Sequence, residues 1–202
     1  GGDDACEEVN LQTLTTPGTH GAPSPGPDDC SGATPIAGDG VFPFDASTAT
    51  TGAEGQNEAN CLSYGATGVD DDVWFVWTAD TTGTVNVSTC NDATGDTKIA
   101  AYPAGACPAD GDSLACNDDA SGCAGWTSSM DFACVSGNSY LIQVGAFAGS
   151  AGSVGNVTIT QTYLPPVGET CANATLIAGD GSFAYDNSGN LTDLDGQNES
   201  IC

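Results

Sequence analysis

The sequence predicts an all-β fold: an antiparallel β-sandwich or jelly-roll-like module with disulfides, plus a tethered N-terminal strand and a partial second module. Three observations predict it. Short runs rich in Val, Ile, Thr and aromatic residues recur between positions 70 and 163, punctuated by Gly, Asp, Asn and Pro, which is the spacing of strands and turns. No helical periodicity of useful length competes with them. Ten cysteines are spread through 202 residues with no CxxC pair, a pattern of disulfides rather than zinc and of an oxidising, extracellular location.

The strands follow in chain order. "VWFVWT" (73–78) is continuously apolar, as a strand buried on both faces must be. Trp74 and Trp77 within it are three residues apart and so face opposite sides; one is assigned to the core, the other to packing under a loop or against a neighbour. "TVNVST" (84–89) alternates, placing Val85 and Val87 inward and Asn86 outward. "TKIAAY" (97–102), "MDFAC" (130–134), "YLIQVGAF" (140–147) and "NVTITQTY" (156–163) complete the set.

The chain repeats itself. Residues 171–202 align with residues 30–61 without a gap, and 17 of the 32 positions are identical, including "IAGDG", "GQNE" and the flanking cysteines. The repeating unit is therefore about one domain long. Three regions result: 1–29, an N-terminal strand and a Pro/Gly linker; 30–163, a complete sandwich; and 164–202, a linker and the opening of a second repeat. Within the first region "EVNLQTLTT" (8–16) reads as a strand ahead of "PGTHGAPSPGP". It is either a terminus or linker without fixed structure, or a strand that pairs with a neighbouring subunit by β-augmentation. The chain starts at Gly1 without a signal peptide, as expected of a mature or excised polypeptide.

Charge removes several function classes. There are 27 acidic residues against one basic residue, Lys98, for a net charge of −26. Nothing here neutralises phosphates, so nucleic acid is excluded as a partner, and anionic membrane surfaces repel the chain. No stretch is apolar enough for membrane insertion as a helix.

The spacing of Cys30 and Cys61 recurs in Cys171 and Cys202, so each pair is expected to close its own loop. Cys90, Cys107, Cys116, Cys123 and Cys134 then remain, an odd number that Cys6 makes even. Cys6 is expected to bond one of these five, and Cys134 is the chosen partner.

With "DDVWFVWTADTTGTVNVSTC", "DTKIAAYPAGACP", "LACNDDASGC" and "YLIQVGAF" in view, the chain resembles the pre-peptidase C-terminal type of β-sandwich. Its cysteine-rich relatives are repeated in large bacterial secreted and surface proteins. The match covers about 28–163, with the opening again at 169–202. The resemblance implies a sandwich of about eight strands with a non-catalytic role as appendage, adhesive or spacer, and calcium binding in some members. The isolated N-terminal strand and Cys134 depart from the pattern.

Two clusters are candidate calcium ligands: Asp70, Asp71 and Asp72 ahead of the apolar run, and Asn117, Asp118 and Asp119 in a Cys-bounded loop. Calcium takes six to eight oxygen ligands from such loops; the alternative is that both are solvated turns. "AGDG" at 37–40 and 178–181 is a turn signal, with no following Lys to make a phosphate loop. Five sequons, at Asn86, Asn156, Asn173, Asn190 and Asn198, admit N-glycans. Enzymatic readings fail on residue supply, since the only His, His20, lies in the Pro/Gly linker. An exposed Trp77 or Trp126 would suit a sugar platform, although core or interface packing is the default for both.

The expected function is structural and non-catalytic: an extracellular filament or surface-fibre subunit assembled head-to-tail with copies of itself, by strand exchange or completion of the partial domain. The alternative is a carbohydrate-binding or adhesive accessory module of a larger secreted protein.

Overall fold

The structure, a computed structural model, describes residues 27–163. They form nine strands: β1 (Thr34–Ala37), β2 (Gly40–Asp45), β3 (Asp70–Thr78), β4 (Gly83–Ser88), β5 (Thr97–Pro103), β6 (Ala115–Asn117), β7 (Ser129–Cys134), β8 (Ser139–Ala146) and β9 (Val154–Tyr163). Two sheets result, a five-stranded one in the order β1-β3-β8-β5-β6 and a four-stranded one in the order β2-β9-β4-β7. The expected β-sandwich is therefore observed, antiparallel except where β1 lies parallel to β3. The expected strand at 8–16 and the second-copy segment 164–202 lie outside the described residues.

The alternation in β4 does what its pattern requires. Val85 and Val87 are fully buried, facing Val73, Phe75 and Trp77 of β3 and Ile142 and Val144 of β8 across the sandwich. Burial of such side chains is worth about 1.5–3 kcal/mol each. β3 reads as continuously apolar because the five-stranded sheet is covered on both faces. Trp77 belongs to the core between the sheets, while Trp74 packs with Val69, Ala100, Tyr102 and Leu141 in a second cluster on the sheet's outer face. The cover over that face includes Cys30, Cys61 and Val69.

A polar layer lines this cover. Glu58 is fully buried, and its carboxylate accepts from the Gly111 and Ser113 amides and the Ser113 hydroxyl. Tyr102 Oη donates to Gln143 Oε1 at 2.7 Å, and Gln143 Nε2 donates to Asp72 Oδ2 at 3.0 Å. Gly55 has a φ of +71°, and a Cβ there would collide with Tyr102 and Gln143. Only glycine lets the backbone close over the network at that point.

The disulfides correct one expectation. Cys30 is bonded to Cys107 and Cys61 to Cys116, rather than to each other, and Cys90 is bonded to Cys123. The physical reason is the covering layer: both opening cysteines lie on the outer face of the five-stranded sheet, and each crosses to the β5–β6 region instead of closing a local loop. Three bonds of this kind are typical of an oxidising compartment. Cys134, at the end of β7, is buried and has no disulfide partner among the described residues. Cys6, Cys171 and Cys202 lie outside the described residues.

The doubled "IAGDG" motif is a corner. β1 belongs to one sheet and β2 to the other, and Gly38 (φ +64°) turns the chain between them. Trp77 Nε1 donates to the Gly38 carbonyl at 3.0 Å. Asp39 Oδ1 accepts from the backbone and side-chain amides of Gln161.

Candidate functional site

The Asp70–Asp72 run does not converge on one point. The β3–β8 register shifts between Asp70 and Val73, and Asp71 adopts a positive φ of 44°, as residues in bulges do. Asp71 turns to Thr51, whose hydroxyl accepts from its amide at 3.1 Å. Asp72 points the other way, fully buried beneath the cover, with Oδ1 lacking a partner. Burial pushes its carboxyl up to about 6, against the pull of the Gln143 hydrogen bond.

The second run behaves differently. Asn117 is committed to structure, its Oδ1 accepting from the Ser129 amide at 2.9 Å. Asp118 and Asp119 instead meet Asp96, a residue the sequence reading passed over. The β5–β6 register, with Ile99 opposite Asn117, brings the residues after Asn117 alongside those preceding Ile99. One carboxylate oxygen from each of Asp96, Asp118 and Asp119 lies within 4.8 Å of the others. The available signal was the pairing of "TKIA" with "ACN", too short a strand to stand out.

A buried hydroxyl cluster fixes this corner. Thr89 and Thr97 hydroxyls are 2.7 Å apart, and the Ser128 amide donates to both. The Ser128 hydroxyl donates to the carbonyls of Thr97 and Asp118. Asp118 is only 7% exposed, and its Oδ1, like Asp96 Oδ1, is buried without a hydrogen-bond partner. Both carboxyls are raised by burial; Asp118 and Asp119 further raise Asp96. Lys98 stands nearby but donates to the Ala66 carbonyl at 3.1 Å and lies 5.6 Å from the Phe147 ring centroid.

Exposed aromatic side chains flank the carboxylates. Tyr64 is 88% and Trp126 is 67% exposed, and both have positive φ, 45° and 56°, a conformation few large residues adopt. Tyr64 occupies a tight turn closed by reciprocal hydrogen bonds between Ser63 and Ala66 and meets Phe147 edge-on at 6.2 Å. Trp126 follows the segment held by the Cys90–Cys123 bond and by the Ala124 amide's donation to Asn91 Oδ1 at 2.7 Å. Tyr64, Asp96, Asp118, Asp119, Trp126 and Phe147 line a concavity of about 180 Å³. Of the two, Trp77 packs in the core, and Trp126 lies on the surface.

Two sequon asparagines fall within the described residues. Asn86 of β4 and Asn156 of β9 both face outward from the four-stranded sheet, and their side-chain amides donate to Asp131 and Asp92 respectively. Asn173, Asn190 and Asn198 lie outside.

No family model and no curated protein matches this chain. Among solved structures it is similar to the pre-peptidase C-terminal domain of collagenase from Bacillus anthracis, at 8% identity and a TM-score of 0.39, over 63% of this chain and 94% of that one. It is also similar to Aeromonas hydrophila PliG, a periplasmic inhibitor of g-type lysozyme, at 17% identity and a TM-score of 0.34, over 63% and 97% of the two chains. A third likeness is to a Podospora anserina GH26-CBM35 β-(1,4)-mannanase, at 14% identity and a TM-score of 0.30, over 64% of this chain and 29% of that one.

Proposed function

We propose that this chain is a non-catalytic structural protein of the extracellular space, built from tandem disulfide-braced sandwiches, with copies of itself as partners along a fibre or surface array. One observation carries the reading. Residues 30–61 are the opening segment of a sandwich, supplying β1, β2 and the two cysteines of the outer cover, and the chain writes that segment again at 171–202. A cover segment is useful only against a sheet, so the sequence specifies more than one sandwich in succession. Strand exchange and completion of one unit by a neighbour are the assembly modes that follow from such segments. The net charge of −26 keeps nucleic acid off the list of partners.

Electron microscopy of the native material, with intact-mass measurement, tests this. Elongated polymers are the expected result. Discrete monomers of about 20.0 kDa defeat it.

The exposed Tyr64 and Trp126 favour a second reading, a carbohydrate-binding or adhesive module, because flat aromatic faces are what sugar rings stack on. Glycan-panel binding without assembly, lost in Trp126→Ala, is the result that prefers it.

A further inference from the structure

We propose that Asp96, Asp118 and Asp119 together hold a hard divalent cation, with calcium the ion of best fit. The inference is independent of both functional readings above.

The geometry carries it. Calcium–oxygen distances are about 2.3–2.6 Å, so ligand oxygens on one ion lie up to about 5 Å apart. Oxygens of the three carboxylates lie within 4.8 Å of one another. Two of the residues present a buried oxygen, Asp96 Oδ1 and Asp118 Oδ1, that meets no donor. Buried carboxylate oxygens without partners are costly, and a cation is the partner that satisfies both at once. Lys98 offsets part of the charge of Asp96 and Asp118, but its ammonium donates to the Ala66 carbonyl and lies over the Phe147 ring, leaving both buried oxygens without a donor.

The donor set selects the class of ion. It is all carboxylate, without the His or thiolate that softer metals favour. Asp96 precedes β5 and Asp118 and Asp119 follow β6, so the ligands come from separate segments. Such a site suits calcium's adaptable coordination better than the strict octahedron of magnesium. The adjoining concavity leaves room for water to complete the shell. The ion would lock the start of β5 to the loop after β6, at the corner that Ser128 already ties together.

Terbium, a luminescent stand-in for calcium, gives a direct readout because Trp126 and Tyr64 border the site. Full-length protein stripped with EGTA should show aromatic-sensitised terbium emission that calcium displaces, and calcium should raise the melting temperature. Asp118→Asn should weaken calcium binding by about tenfold or more through the lost ligand charge. Trp126→Phe should dim the emission while leaving the calcium response of the melting temperature in place. Asp29→Asn, an exposed acid outside the cluster, should match wild type. Without calcium, Asp118→Asn should melt at or above wild type, and with calcium below it. Should that variant fail to fold, the exposed Asp119→Asn gives the same comparison. Equal calcium responses in wild type, Asp119→Asn and Asp118→Asn would mean diffuse screening of a very acidic chain and would overturn the assignment, as would no response at all.

Discussion

The indole Nε1 of Trp77 donates to the carbonyl of Gly38 at 3.0 Å, tying the middle of the sandwich to the corner where the opening segment passes from one sheet to the other. Trp77 is fully buried and packs against Phe132 and Tyr140. The corner motif is thus part of the core's hydrogen bonding, although its sequence reads as a surface turn. Trp77→Phe keeps an aromatic ring but strands the Gly38 carbonyl and leaves a void. A loss of about 1–3 kcal/mol is expected, measured by denaturant unfolding; an unchanged midpoint would show the bond to be dispensable.

Asp72 sets a pH dependence. Its folded-state value of about 6 lies above the ordinary 3.8, mainly through burial. The stability it contributes is therefore full below 3.8 and is lost as pH rises through about 6. Asp72→Asn keeps an acceptor for Gln143 and removes the buried charge. At pH 7 it should stabilise the protein by on the order of 1–3 kcal/mol, with a flatter stability profile through the acidic range. A destabilised variant with the wild-type profile would contradict this. Asp96 and Asp118, whose carboxyls burial also raises, titrate in both proteins, so the difference between the wild-type and Asp72→Asn profiles isolates Asp72.

The Cys61–Cys116 bond closes 55 residues of sequence separation and holds the cover to the edge of the five-stranded sheet. Replacing both cysteines by Ala should cost about 4 kcal/mol on the chain-entropy estimate. The loss should come with faster hydrogen exchange at Trp74 and Tyr102, which the cover protects, while Val85 and Val87 between the sheets exchange as before. Uniformly faster exchange would mean the cover is not a separate layer.

Much of this fold is legible in the sequence, for identifiable reasons. The cores of β3, β4, β5, β7, β8 and β9 announce themselves because Val, Ile and aromatic residues mark buried strands. β1 and β2 escape because Pro35 and Pro43 interrupt them, which only sheet edges tolerate; both strands are indeed at edges. β6 is three residues long and has no periodicity to detect. The disulfide pairing follows from a covering layer that equal Cys spacing does not encode. Asp118 and Asp119 were visible as a cluster, whereas Asp96 joins them only through the β5–β6 register.

Cys134 is the unpaired cysteine among the described residues; with Cys171 and Cys202 assigned to a second sandwich, Cys6 is the partner left for it in the sequence. Alkylation of the native protein after unfolding without reductant should therefore leave Cys134 unlabelled, with a Cys6–Cys134 peptide recovered. A labelled Cys134 would show instead a buried thiol, whose pKa burial raises.

The opening segment of the described sandwich is bonded to its β5–β6 region, and we infer that the repeated segment requires a second region of that kind. Non-reducing peptide mapping of the native material tests this. Cys171 and Cys202 stand where Cys30 and Cys61 stand in the first unit, and Cys30 and Cys61 bond Cys107 and Cys116. Because Cys107 and Cys116 of the first unit are already taken by Cys30 and Cys61, Cys171 and Cys202 should each be linked to the corresponding cysteines of a second sandwich, the one their segment opens. Recovery of a Cys171–Cys202 peptide would contradict it.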